Sequence, residues 1–263
     1  MILAAIPLGM LLLAPGRAKG NFDFADPPPP EEYGNFLIDR VSSAKGVKPV
    51  SFSHWIHRQS STCRVCHFEI QFNYSVNTTE ISERDNRAGQ FCGTCHDGKE
   101  LFGHEKPEDC ERCHNGDLRR GSEKFPKLWR LPQSRYGNRI DWNAALEEGA
   151  IQPRNQLGIP PPAETAFSGT ILLDAVWAMG PDAMFPHGQH SKWLDCNDCH
   201  PAIFNIKKKF TEGLEMVNII DREFCGICHG SVAFPLTDCA RCHPKLKSVP
   251  AYKEPVPREE EVR

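Results

Sequence analysis

The twelve cysteines of this 263-residue chain all lie in pairs separated by two residues, and a histidine directly follows every pair. The six motifs contain Cys63, Cys66 and His67; Cys92, Cys95 and His96; Cys110, Cys113 and His114; Cys196, Cys199 and His200; Cys225, Cys228 and His229; and Cys239, Cys242 and His243. At this spacing the two thiols can add to the vinyl groups on one edge of a porphyrin, while the histidine reaches the iron. Disulfide frameworks and zinc sites also use paired cysteines, but neither requires a histidine after every second cysteine. The sequence therefore predicts six covalently bound haem c groups with their iron.

A six-coordinate haem iron takes two axial ligands, so the number of histidines limits how many irons can be filled by imidazole alone. Six of the eleven histidines belong to the attachment motifs. We predict that the five others are ligands on the opposite side of the haem: His54, His57, His104, His187 and His190. One iron is then left without a second histidine. The spacing of His54 from His57, and of His187 from His190, places both rings of a pair on one face of a helix.

The chain carries an internal duplication. Cys63 and Cys196 are 133 residues apart, and so are His54 and His187. The third motifs are only 129 residues apart, because the first copy holds four extra residues around His104. We predict a signal peptide (1–18), a first trihaem module (27–118), a linker with a short helix (119–159), a second trihaem module (160–248) and a mobile tail (249–263).

The fold class follows from what the sequence lacks. With 22 prolines and 20 glycines, the chain has few stretches with a sustained helical period. Apolar runs at 35–39 and 170–174 favour short strands, and the linker contains a brief helical stretch at 142–148. We predict a small, mainly α-helical and irregular fold, in which short helices and loops wrap around the haems. A short strand or hairpin begins each module, and the porphyrins supply the apolar core.

Several motifs resemble the trihaem cytochrome c7 family and, more closely, its tandem-repeat members. They are Phe52, Ser53 and His54 with His57; Phe185, Pro186 and His187 with His190; and the stretches 91–96 and 224–229. The resemblance implies short helices and loops around closely spaced haems and a role in respiratory electron transfer. In similar cytochromes a helical histidine pair serves two different haems. The resemblance therefore assigns His54 and His187 to the first haem of each module, and His57 and His190 to the second.

The helical histidine pairs do not supply a second ligand for the third haem of either module. In the first module the best candidate is His104, six residues before Cys110. The second module lacks that segment, but Met216 stands where the first copy has Glu83. Some tandem members of the family are similar in having one haem per module with histidine and methionine ligands, so we predict Met216 as this ligand. Three alternatives stay open: Met216 as core filler, Met184 or Met179 in its place, and an open sixth position.

The first fourteen residues form an apolar run typical of a signal peptide. The run is shorter than the ~20 residues of a membrane-spanning helix, although a membrane anchor is the alternative. Export agrees with covalent haem attachment, which takes place outside the bacterial cytoplasm. The net charge of −3, to which the haem propionates would add, disfavours nucleic acid and favours basic docking surfaces on partners. We predict a periplasmic or extracellular protein with no transmembrane span in its mature form.

The ligand count favours an electron carrier over an enzyme, because nearly every iron has a candidate for its second ligand. The predicted function is electron transfer in a periplasmic or extracellular respiratory chain through closely spaced six-coordinate haems, with no catalytic residue. Partners would be other cytochromes, quinol-linked complexes or outer-membrane complexes. Two alternatives stay open: a haem-based reductase with one open iron, and a subunit that self-assembles into an extracellular cytochrome filament.

Overall fold

A computed structural model describes residues 24, 26–99, 101–162, 168–173, 181–205 and 211–246. The predicted signal peptide and tail lie outside these residues. Each module begins with two antiparallel strands, β1 (Asn35–Ile38) with β2 (Val50–Ser53), and β3 (Thr170–Leu173) with β4 (Ala183–Pro186). The predicted strand at the start of each module is therefore confirmed, and its partner is the segment directly before the histidine pair.

The α-helices of the described residues are all shorter than seven residues. They are α1 (His54–Arg58), α2 (Glu83–Arg87), α3 (Cys110–Cys113), α4 (Trp142–Glu147), α5 (His187–His190), α6 (Met216–Ile220), α7 (Gly226–His229) and α8 (Cys239–Cys242). Between them lie short 3₁₀ segments, of which Ser122–Arg130 is the longest at nine residues, and one π-helical turn, Val65–Glu69. Helices below about 12 residues are marginal in water by their own propensity. These helices therefore depend on packing, and the predicted fold of short helices and loops is confirmed.

The duplication is visible in the backbone as well as in the sequence. Gly93 and Gly226 each lie so close to the preceding helix that a Cβ would meet a backbone carbonyl oxygen at 1.8 Å. The carbonyl belongs to Asn86 in the first module and to Ile219 in the second. Both glycines stand between the two cysteines of the second motif of their module. Only glycine permits this approach, so α2 and α6 are held directly against the attachment motifs.

A buried side-chain core lies in the linker and joins it to both modules. Its members are Trp55, Phe125, Leu128, Leu131, Ile140, Trp142, Ala145, Ile151 and Trp193. Only Trp55 comes from the first module and only Trp193 from the second. The expectation that the porphyrins supply the apolar core was therefore incomplete. The sequence predicted the helical stretch that holds Trp142 and Ala145, but not that the linker would contribute most of this core.

The two modules also meet at a buried cluster of charges. Arg64 donates from Nε to Asp195 Oδ2 at 2.9 Å and from Nη1 to Glu69 Oε1, and all three side chains are at most 5% exposed. Glu69 also accepts from the backbone amides of residues 157–159 at 2.8–3.1 Å. Burial opposes ionisation, but these amides and Arg64 keep the pKa of Glu69 below its ordinary value. First module, linker and second module are thus tied together next to the Cys63 and Cys196 motifs.

No helix in the described ranges has the length and apolar character needed to cross a membrane.

Candidate haem-binding sites

The attachment motifs fold as single helical turns that bring each histidine back over its first cysteine. In five motifs the histidine amide donates to the carbonyl of that cysteine at 2.8–3.0 Å: His96, His114, His200, His229 and His243. The sixth histidine, His67, lies in the π-helical turn. All twelve cysteines are free thiols rather than disulfides. Each motif therefore offers two thiols and one imidazole from one short turn, which is the donor set that covalent haem requires.

Most histidines are oriented through one ring nitrogen. Nδ1 lies 2.7–3.1 Å from a backbone carbonyl oxygen in His54, His57, His67, His96, His114, His190, His200, His229 and His243. A carbonyl oxygen only accepts, so Nδ1 must carry the proton and Nε2 keeps a free lone pair. Histidines that ligate metals almost always donate their second ring nitrogen in this way. The bonds thus fix both the tautomer and the direction in which Nε2 points.

Three pairs of histidines face each other across a gap. The ring centroids are 6.5 Å apart for His54 and His67, with the rings nearly parallel at 7°. They are 6.2 Å apart for His57 and His96, and also for His190 and His229, with interplanar angles of 66° and 65°. With metal–nitrogen bonds of about 2.0–2.1 Å and the ring radius added, one metal ion between two imidazoles separates their centroids by roughly 6–6.5 Å. The pairs therefore fit an iron with two histidine ligands.

The helices α1 and α5 carry the histidines that face the motifs. On α1, His54 faces the histidine of the first motif and His57 that of the second. Phe52 holds both rings, edge-on to His54 at 4.8 Å and stacked on His57 at 4.5 Å. In the second module Phe185 repeats both contacts at 4.7 Å and 4.3 Å with the histidines of α5. One helical turn thus serves two haem sites.

Burial lowers the pKa of all six imidazoles in the three facing pairs and so favours their neutral form. It lowers the pKa of His54 to about 3 and that of His229 to about 4. Burial also lowers the pKa of His57, His67 and His190. A neutral imidazole is the form that binds a metal, because a protonated ring has no free lone pair. These sites therefore need not lose protons before ligation.

Attachment motifs from both modules, though not the third motif of the first module, line one large, mainly apolar cavity of about 1780 Å³. Pockets for single small molecules are about 300–1,000 Å³. The cavity lining includes His67 and Cys92 of the first module and His229 and Cys242 of the second. Its size and its thiol and imidazole donors fit several porphyrins.

The proposed ligands of the third haems are less clearly arranged. His104 Nε2 lies 3.3 Å from Glu105 Oε1, and within the described residues its ring makes no contact with another histidine. Met216 is the first residue of α6 and lines the same cavity as His243. Met184 lines it too, whereas Met179 lies outside the described residues. The second ligand of both third haems therefore stays a prediction.

Tyr74 is a site residue that the motifs did not indicate. Its ring stacks on His67 at 4.5 Å and 20°. Its hydroxyl donates to Asp198 Oδ1 at 2.6 Å, and Asp198 lies between the cysteines of the fourth motif. Burial and the bond to Asp198 raise the pKa of Tyr74. Tyr74 thus connects the first haem site of one module to the first haem site of the other, and no sequence signal gave this contact.

Two stretches of the chain, 50–115 and 183–244, match the family model of cytochrome c7 and related cytochrome c. A c7-type three-haem cytochrome domain is 32% identical over 33% of this chain and 94% of its own, with a TM-score of 0.26. The C-terminal hexahaem fragment of GSU1996 is 24% identical over 82% of this chain and 98% of its own, with a TM-score of 0.25. The dodecahaem cytochrome c GSU1996 is 22% identical over 81% of this chain and 75% of its own, with a TM-score of 0.26. No curated protein matches the chain.

The chain belongs to the cytochrome c7 family, because each matched stretch holds one helical histidine pair and three attachment motifs. It is a multihaem cytochrome of the c7 type, a class of electron-transfer proteins. Cytochromes of this class are typically exported and exchange electrons with other redox proteins.

Proposed function

We propose that the chain is a hexahaem cytochrome c that transfers electrons in a periplasmic or extracellular respiratory chain. The observation that carries the proposal is the set of three facing imidazole pairs, each separated by the width of one liganded iron. An iron with imidazole on both sides has no open position for a substrate. Bound haem supplies an iron that takes up and releases one electron. The protein's contribution is to hold, orient and enclose it.

The proposed ligands follow from the pairs. His54 with His67, and His57 with His96, hold the first two haems of the first module. His190 with His229 holds the second haem of the second module, and the duplication assigns His187 with His200 to its first haem. His104 and Met216 remain the proposed second ligands for the third haems, with His114 and His243 on the other side.

The chain's own residues fix the distances over which electrons pass. His54 and His57 lie on one helical turn of α1, so two haem sites are held at a separation set by the backbone. Their carbonyl partners on residues 34 and 53 restrict ring rotation. Apolar walls keep water away from the iron, which reduces the reorganisation that accompanies a change in charge. This arrangement favours rapid exchange between neighbouring haems.

The proposed partners are other redox proteins with basic docking surfaces. The net charge of the polypeptide is −3 before the haem propionates are counted. Opposite charge steers encounter between carrier and partner and makes the association rate fall with ionic strength.

Two measurements test this function on the exported holoprotein. Intact mass spectrometry under denaturing conditions should give the mass of the polypeptide plus six haems. Low-temperature electron paramagnetic resonance should show low-spin ferric signals only. Fewer than six haems would contradict the proposed cofactor content. A stoichiometric high-spin signal would favour a reductase with an open iron instead.

A further inference from the structure

The side chain of Arg58 lies at the contact between the modules. Arg58 ends α1 and directly follows His57. Its guanidinium lies over the ring of Trp142 of the linker at 5.3 Å and over that of Trp193 of the second module at 5.9 Å. Its Nη2 donates to the carbonyl of Val232 at 3.3 Å. A cation of the first module is thus enclosed by groups from the linker and the second module.

The carbonyl that Arg58 reaches lies three residues after the fifth attachment motif. The amide of Val232, like that of the next residue, donates to the carbonyl of Cys228 at 2.9 Å. Arg58 therefore contacts the turn that closes the second haem site of the second module. Arg58 also lies on α1, the helix that carries His54. Its charge lies between a haem site of one module and a haem site of the other.

The electrostatic effect of Arg58 supports this position. Burial is the main cause that lowers the pKa of His54 and His229, and the charge of Arg58 lowers both further. Burial raises the pKa of Cys63 and Cys228, and the same charge opposes that rise. The four groups belong to only two haem sites, the first of the first module and the second of the second module.

Of the two copies of the repeat, only the first has an arginine at this position. The residue that corresponds to Arg58, 133 positions later, is Ser191, which is exposed. The charge is therefore a feature of the junction and not of the repeated haem cradle.

We propose that Arg58 sets the potentials of two haems on opposite sides of the junction between the modules, the first haem of the first module and the second haem of the second module. The inference rests on the proposed function, because it requires haem at both sites. Guanidinium stays protonated at any ordinary pH, and a partly buried charge is screened less by salt than an exposed one. A fixed cation stabilises the reduced iron, which carries one positive charge less than the oxidised iron. The two junction haems therefore accept electrons at a higher potential than they would without Arg58.

The test uses the six-haem holoprotein and follows individual haem methyl signals by nuclear magnetic resonance during a redox titration. Arg58→Gln keeps a donor for Val232 but removes the charge, whereas Arg58→Lys keeps the charge but loses the planar stacking group. We expect Arg58→Gln to lower the potentials of the two junction haems and leave the other four in place. Arg58→Lys should keep the wild-type values. Arg84→Met, which removes a 93% exposed arginine of the first module, is the matched control and should shift no haem.

Three results would overturn the proposal: no shift in Arg58→Gln, an equal shift of all six haems, or an equal shift in the Gln and Lys variants. The last result would mean that the packing of Arg58, and not its charge, sets the potentials. If Arg58→Gln does not take up six haems, Arg58→Met replaces it in the same titration. A failure of the proposed function is distinguishable, because the wild-type protein would then lack six titrating haems.

Discussion

Arg64→Met should loosen the contact between the two modules while leaving the haems attached. Methionine keeps much of the length of arginine but none of its donors. The side chain of Arg64 donates to Asp195 and Glu69, and also to the carbonyls of Asn155 at 2.9 Å and Pro160 at 3.3 Å. Its backbone amide donates across the junction to the carbonyl of Trp193 at 2.8 Å. The substitution therefore leaves two buried carboxylates without their shared cation.

The expected size of the effect follows from burial. Removing one partner of a buried ion pair costs about 3–5 kcal/mol, because the remaining charge stays desolvated. Both carboxylates keep other donors, namely the amides of residues 157–159 for Glu69 and the amide of Asn197 for Asp195. We therefore expect the substitution to cost about 3 kcal/mol, at the lower end of this range. At about 1.4 kcal/mol for each factor of ten, local opening should become roughly 100-fold more frequent.

Amide hydrogen exchange followed by mass spectrometry measures this opening directly. Peptides that contain residues 61–65 and 156–160 should exchange faster in Arg64→Met, while the helical turns of the third motifs should not change. Arg87→Met is the control, because Arg87 forms an exposed ion pair with Glu83 at 2.9 Å. Such a pair contributes below about 1 kcal/mol. If the junction peptides of Arg64→Met exchanged no faster than those of the control, the charge cluster would not hold the modules together.

Three further outcomes are expected. His57→Ala should convert one low-spin iron to a high-spin, five-coordinate form by electron paramagnetic resonance, and an unchanged spectrum would make His57 a structural residue. Met216→His should remove the near-infrared band of a methionine-ligated haem and lower a single outlying potential, because thioether ligation favours reduced iron; a wild type without that band would exclude Met216. Gly93→Ala should lower the free energy of unfolding by at least ~3 kcal/mol, since its Cβ would meet Asn86 O. Gly158→Ala, with open space around the new methyl group, should be near neutral in the same denaturant titration.

The elements that the sequence predicted are those whose signals are local. The strand at the start of each module, the short helices and the loop-rich fold class all followed from apolar runs, motif spacing and the content of proline and glycine. The family resemblance was also correct, because it rested on contiguous residues. The assignment of individual ligands stays a prediction, although three histidine pairs face each other at a distance that supports it.

The contacts between distant segments could not be predicted in the same way. Phe91 and Phe224 adopt positive φ angles of 49° and 48°. Steric strain disfavours this backbone conformation for aromatic residues, and the surrounding packing must impose it. Tyr74 meets Asp198 across 124 residues of chain. The pairing of buried charges at Arg64 likewise depends on how two modules meet. None of these contacts leaves a period or a spacing in a single sequence.

The residues of the junction limit how the modules can combine. A contact between two different faces of similar units can repeat without end, since each unit then offers both faces to the next. Here the first copy has Arg64 where the second has Asn197, and the second copy has Asp195 where the first has Thr62. The second module thus lacks the arginine that would bind a further aspartate, and the first lacks the aspartate that would bind a further arginine. This ion pair therefore joins two modules and does not continue to a third. Filament assembly of this chain would require a different surface.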